Sequence, residues 1–273
     1  MIGALKYEVT RIRTIASSYW LSALAVVFSA GIAVILCLVV NQSSGTELGD
    51  LAHTPVFSTW IVTSGASGPG MPVLAAAFLA VMGALAMGHE YRYGTNKATL
   101  TALPDRYAVL AAKAIVLTVW VAIVALLILL INTAIAWLLV SDMALDSESV
   151  RPMAFFVLYC IGFSLAGFGL AAILRSQVGS IVTVLVWPLA IEPIVFTILR
   201  FAGHRTSEVF GTIANFLPAS AGRRSMFRPY QILANLDLQQ TNIWGLGAST
   251  LVYWVGILIL IVAGSVLFVI RDA

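Results

Sequence analysis

The stretch Ala111–Val140 reads AAKAIVLTVWVAIVALLILLINTAIAWLLV, and it decides which solvent this chain is built for. Lys113 is its one charge and Asn132 its one amide. A helix rises 1.5 Å per residue, so roughly 20 apolar residues cross a hydrocarbon core of about 30 Å. The segment crosses with turns to spare, and is long enough to tilt or protrude. Working outward, five further apolar stretches stand out: Trp20–Val40, Met71–Gly88 (a short one), Met153–Leu174, Val178–Leu199 and Leu246–Ile270. In lipid a backbone has to satisfy its own N–H and C=O groups, so each stretch is expected to be a helix. The expected fold class is an all-α integral membrane protein with six transmembrane helices. The whole composition agrees: 60% of the 273 residues are hydrophobic and 10% are charged, against about 25% charged in soluble domains.

Orientation follows from where Lys and Arg fall. An even number of spans puts both termini on one side. That side holds Lys6, Arg11 and Arg13, then Arg92, Lys97, Arg106 and Lys113, then Arg175 and Arg271. The other side has no Lys or Arg between spans one and two. Between spans three and four it has only Arg151, beside Asp142, Asp146 and Glu148. Against this, the segment between spans five and six carries Arg200, Arg205, Arg223, Arg224 and Arg228. Long segments weigh less in orientation than short ones, so both termini are expected in the cytoplasm. The Ala- and Val-rich composition suggests a bacterial plasma membrane.

Several function classes fall away. The net charge of +3 is small and spread out, so no nucleic-acid partner is expected. Cys37 and Cys160 lie inside apolar runs and read as small buried hydrophobes. No cleaved leader is expected, because the first apolar run is too long for one. The only lysines are Lys6, Lys97 and Lys113, and none belongs to a G-x-x-x-x-G-K-[ST] phosphate loop. The chain is therefore not its own ATPase. His89-Glu90 opens an H-E-x-x-H pattern, but Tyr93 stands where the second His is needed. His53 and His204 fall in outer loops, so no metal site is expected. The spans carry no pair of carboxylates for aspartyl proteolysis.

Ahead of span one, residues 1–19 form a separate element. Ile2, Leu5, Val9, Ile12 and Ala16 recur at steps of three and four, which places them on one helical face. Lys6, Glu8, Arg11 and Arg13 lie largely off that stripe. The pattern predicts a helix lying in the cytoplasmic interface with its apolar face down. The alternative is a disordered basic lead that only fixes orientation. Residues 20–273 then make up the six-helix domain.

The most informative segment is the cytoplasmic loop His89–Lys113, HEYRYGTNKATLTALPDRYAVLAAK. Gly94 can end the helix leaving span two. Thr95 or Asn96 can cap a new short helix over Ala98–Leu103. Pro104 stops that helix, and Asp105 can cap the helix entering span three. The loop therefore reads as a short helix held between two turns, a rigid knob for a cytoplasmic partner to push.

This segment resembles the loop between spans two and three in permeases of the type-2 ABC (ATP-binding cassette) transporter family. Those permeases show a Glu, a Gly-Thr, a Leu-rich turn, a Pro, a basic residue and a Lys opening the next span. Here the matching residues are Glu90, Gly94-Thr95, Leu100 and Leu103, Pro104, Arg106 and Lys113. The layout is also similar: an N-terminal interface helix, six spans, and a long outer loop (201–245) that contains Asn215-Phe216-Leu217-Pro218. The resemblance implies the permease subunit of an exporter that pairs with a second copy or a related permease. Each permease would dock a separate ATP-binding cassette ATPase subunit, which holds ATP and Mg; this chain would hold no cofactor. It implies that Glu90, Arg92 and Arg106 make polar contacts to the ATPase, while Gly94, Thr95 and Pro104 shape the knob. The substrate would be amphipathic: a drug, a peptide antibiotic, a lipid or a glycan. An ion-driven secondary transporter and a noncatalytic membrane scaffold or immunity protein are the rival readings.

Two polar residues inside spans need a reason. Glu192 sits beside Pro193 and four residues after Pro188. A charge near the bilayer centre costs about 2.5–3.5 kcal/mol on insertion scales. The two prolines predict a kinked or broken span. Either Glu192 lies on a transport path, or it pairs with Arg200 or another outer arginine. Asn132 is a second candidate for the path, although an amide there also serves as a cross-helix hydrogen bond. In the outer loop, Phe210–Leu217 and Ile232–Leu238 are expected as short helices dipping into the leaflet.

Overall fold

The computed structural model describes residues 1–42, 54–64, 73–95, 99, 101, 105–140, 143, 145–226 and 244–271. Among them the chain is helical throughout its regular structure, without strands. Helix α1 (Ile2–Thr14) is separated from α2 (Ala16–Gln42) by Ile15, whose ψ of 119° breaks the helical path. A short α3 (Pro55–Val62) starts with Pro55 in its first turn and the Thr54 hydroxyl accepting from Phe57 N–H. Helices α4 (Leu74–Tyr93), α5 (Arg106–Leu139) and α6 (Val150–Leu174) follow, with a 3₁₀ turn at Ser147–Ser149 before α6. Next, α7 (Gln177–Val186), a π-helical turn (Trp187–Ile191) and α8 (Glu192–Arg205) continue one another. Two short helices, α9 (Glu208–Ala214) and α10 (Pro218–Met226), precede the last helix, α11 (Leu246–Arg271).

Among the described residues six segments are long and apolar enough to cross a membrane: α2, α4, α5, α6, the α7–α8 rod from Gln177 to Gly203, and α11. At 34 residues α5 is the longest. These match the six stretches read from the sequence to within a few residues. At the centre α4 and α6 lie against each other with almost nothing between their backbones. A Cβ on Gly83 would fall 1.9 Å from the Ser164 carbonyl oxygen, and one on Gly167 would fall 2.2 Å from that of Ala80. Small residues permit such approach, which matters in lipid, where no hydrophobic driving force brings helices together. Outside this seam, α5 exposes Leu130, Trp137 and Leu138, and α11 exposes Leu251, Leu258 and Ile259. Such a surface suits hydrocarbon rather than water. The architecture is that of a multi-pass membrane protein.

The structure revises the sequence reading at three places. The N-terminal element ends at Ile15, not at residue 19. Ile2 and Val9 of its apolar stripe are exposed, while the side carrying Ala4 and Glu8 packs against the bundle and is buried. The inward face carries a charge because partners for that charge wait in the bundle. In the outer loop, α9 covers part of the expected Phe210–Leu217 helix but starts earlier, and α10 was not anticipated. Ile232–Leu238 lies outside the described residues.

In place of the expected kink or break, span five runs on unbroken from Gln177 to Gly203 with one irregular turn. The helix widens to a π turn over Trp187–Ile191, where Pro188 and Pro193 each remove a backbone donor. Cys37 and Cys160 are buried free thiols, as read.

Candidate functional site: a buried charge cluster at the base of the 94–105 turn

Gly94 ends α4 in the left-handed region, φ 65°, and Glu90 C=O accepts from the N–H groups of both Gly94 and Thr95. A side chain is disfavoured at such a φ, so Gly belongs there. Asp105 begins α5 by accepting from Ala108 N–H at 3.0 Å through its carboxylate. Both caps are where the sequence put them. Thr99 N–H donates to Thr95 C=O at 3.0 Å. Asn96, Lys97, Ala98, Leu100, Leu103 and Pro104, and with them most of the expected short helix, lie outside the described residues.

Beneath the turn, four charges from three helices meet. Lys113 on α5 donates to Glu90 on α4 at 2.5 Å and to Glu8 on α1 at 2.6 Å. Arg11 on α1 donates to Glu90 at 3.1 Å, lies 3.4 Å from Glu8, and also reaches the Ala86 carbonyl. Lys113 is 1% exposed, and Glu8 and Glu90 are 4% exposed. Two cations and two carboxylates cancel, which is the condition under which charges tolerate burial. The cancellation is not complete in hydrogen bonds: Glu90 Oε2 has no partner among the described residues. A cleft of about 30 Å³, lined in part by Glu8, Arg11, Ser18, His89 and Lys113, opens beside the cluster. That is room enough for water.

Placement of the remaining expected residues varies. Arg92 is exposed and lies over its neighbour Tyr93, 5.4 Å from the ring centroid. Thr95 is exposed. Arg106 turns inward, and its Nη1 donates to the Val269 carbonyl of α11 at 2.8 Å. A cation there suits the negative end of a helix. Glu90 also faces the bundle, so the described contacts of both Glu90 and Arg106 are internal to this chain.

Deeper along the spans, Asn132 is fully buried on α5. Its Nδ2 donates to Ser29 Oγ of α2 at 2.9 Å and to Val62 C=O at 2.9 Å, and lies 3.3 Å from Ser64 Oγ. Ser29 and Ser64 in turn bond each other's carbonyls. Asn132 therefore ties α2, α3 and α5 together, the structural use its amide suggested. Glu192 is 0% exposed. One of its oxygens accepts from Ser220 N–H at 2.5 Å and the other from Trp187 Nε1 at 3.1 Å. Its bonds are thus to the N-terminus of α10 and to the π turn, where the sequence reading offered a transport path or an arginine partner. The positive end of a short helix stabilises a carboxylate without a cation.

Sequence reasoning missed Glu8 and Arg11, taking them for a solvated face, and placed Lys113 at the mouth of its span. The available signal was Lys113 itself, a lysine inside an apolar run, which needs an acid. No protein-family model matches this sequence, and no curated protein matches it either.

Proposed function

We propose that this chain is the permease subunit of a type-2 ATP-binding cassette exporter. It works as a dimer or beside a related permease, and ATP is hydrolysed on a separate subunit docked at loop 89–113. The observation that carries this reading is the bond between Glu90 and Lys113, which joins the two ends of that loop at its base. A push on the turn then moves α4 and α5 as one body. Glu8 and Arg11 carry α1 along, and Arg106 carries the end of α11. Helix α6, seamed to α4 at Gly83 and Gly167, goes with them, and movement of these five helices relative to the rest opens the path to one side and closes it to the other. The exported substrate is amphipathic. The chain lacks a phosphate loop, so nucleotide and Mg belong to the partner.

A second reading is an ion-driven carrier. What favours it is the same cluster, since buried ionisable groups also serve as proton and ion relays.

Purification of tagged protein from native membranes in mild detergent tests both. An ATPase is expected to come down with the wild type and to be lost from Arg92→Ala, whose side chain is exposed on the loop. Glu90→Ala is expected to keep the ATPase but to stop substrate from changing ATP turnover, because the base of the loop is no longer joined. The absence of any co-purifying ATPase across several gentle detergents defeats the exporter reading. The carrier reading then predicts transport without ATP that collapses on adding a protonophore.

A further inference from the structure

Helices α8, α9 and α10 gather positive charge at one point. Arg200 Nη2 donates to Asn215 Oδ1 at 2.7 Å, and Arg224 Nη2 donates to the Asn215 carbonyl at 2.8 Å. The same two guanidiniums lie 5.2 Å and 5.4 Å from the centroid of the Phe196 ring. Two like charges are thus held at one amide and one aromatic ring. Arg224 is 8% exposed, yet its Nε and Nη1 have no hydrogen-bond partner among the described residues. Arg223, half-buried, adds a third cation. Glu192 is the nearby acid, but both of its oxygens are already engaged by Ser220 and Trp187.

A buried guanidinium with unmade hydrogen bonds is expensive. Burial first, then repulsion from Arg200 and Arg223 with Glu192 opposing, pushes the Arg224 pKa down to about 10. Arg224 therefore stays cationic at neutral pH, and among the described residues Arg200, Arg223 and Arg224 stand against the one carboxylate of Glu192. A tetrahedral oxyanion answers both needs, because its several oxygens accept charge-assisted hydrogen bonds from guanidinium N–H groups pointing in different directions. The setting selects the source of that anion. Span five ends at Gly203, so Arg200 lies in its last turn, where arginines meet lipid headgroups. Beside Asn215, Phe216 is exposed and packs edge-on against Trp244 with centroids 4.6 Å apart, a pair typical of the membrane–water boundary.

We propose that Arg200 and Arg224 bind the phosphate of an anionic phospholipid, whose acyl chains run past Phe216 and Trp244. A zwitterionic lipid is disfavoured because its cation would be brought against the guanidiniums of Arg223 and Arg224. The site stands on the 192–226 segment and on the membrane setting, and is independent of the exporter reading.

Native mass spectrometry of the delipidated full chain tests this, titrated in turn with phosphatidylglycerol, phosphatidylcholine, diacylglycerol of the same chains, and inorganic phosphate. Phosphatidylglycerol is expected to bind about tenfold tighter than phosphatidylcholine or diacylglycerol. Arg224→Gln and Arg200→Gln should each erase that preference. Arg224→Lys should keep part of it, since the charge remains and the fork is gone. Arg205→Gln should leave it intact, because that exposed guanidinium meets only Phe201 in the described contacts. Equal binding of diacylglycerol or phosphatidylcholine overturns the proposal. So does displacement of phosphatidylglycerol by inorganic phosphate at equal concentration, which would assign the site to a free anion. Equal losses in Arg205→Gln and Arg200→Gln would reduce it to diffuse surface charge. Should Arg224→Gln fail to fold, Arg200→Gln, at a half-buried position, decides the matter alone.

Discussion

Lys113 shows what a single charge does in an apolar run. Its ammonium is buried and survives by holding two carboxylates, at 2.5 Å and 2.6 Å. Removing one member of a buried set is far costlier than removing a balanced pair, because it strands the others. Lys113→Met should therefore cost about 3–5 kcal/mol, read as a large drop in Tm in detergent or as loss of the monodisperse species. Lys113→Met combined with Glu90→Leu leaves Glu8 and Arg11 as a neutral pair, and should recover most of that loss. If the double variant is as damaged as the single, the cluster's importance lies in its shape and not in its charge balance. Glu192 teaches the same lesson with another partner. A helix N-terminus and an indole N–H make its hydrogen bonds, while Arg224 acts on it electrostatically without a direct bond among the described contacts.

At the scale of the element, close approach governs α4 and α6. The Cβ that Gly83→Ala introduces would meet backbone atoms of Ser164, starting with the carbonyl oxygen at 1.9 Å. Backbone cannot swing aside as a side chain can, so the whole seam must part. Gly83→Ala should give a poorly folded protein, while Gly31→Ala on α2, with nothing within 4 Å of its Cβ, should be tolerated. Size-exclusion profiles and Tm of the two variants side by side check this, and equal behaviour would remove the seam from the account of stability. The α7–α8 rod shows a different device. Its π turn adds a residue to the helical path between Trp187 and Glu192, and that turn ends with the Glu192 carboxylate on α10.

For the whole molecule, the even number of spans ties the side of each loop to the side of every other. Cys37 and Cys160 are buried and should stay silent to water-soluble thiol reagents. Single substitutions Thr95→Cys and Ser147→Cys, both at exposed positions, should then label from opposite faces of the membrane. Thr95→Cys should react only from the cytoplasm. Labelling of both from one face would break the six-span order, and labelling of Thr95→Cys only from outside would invert it. Glu90, Arg106 and Lys113, at the ends of α4 and α5, join α1, α4, α5 and α11 by polar bonds.

Residue identity in a line was enough to fix the membrane setting, the six spans and the caps at Gly94 and Asp105. Each of these depends on near neighbours: apolar length, a glycine at a positive φ, a carboxylate three residues ahead of an open N–H. That span five would be irregular near Pro188 was legible for the same reason, since proline acts on its own turn. What the chain's order could not reveal is which polar groups meet. Lys113 and Glu8 stand 105 positions apart, and Arg11 and Glu90 stand 79 apart. Glu8 looked solvated because its own helix offers a polar face, and Glu192 looked in need of an arginine because no local donor was visible. Packing decided both: a buried charge takes whichever partner the neighbouring helix presents, and that neighbour is set by small residues such as Gly83 and Gly167, which control how closely the helices approach.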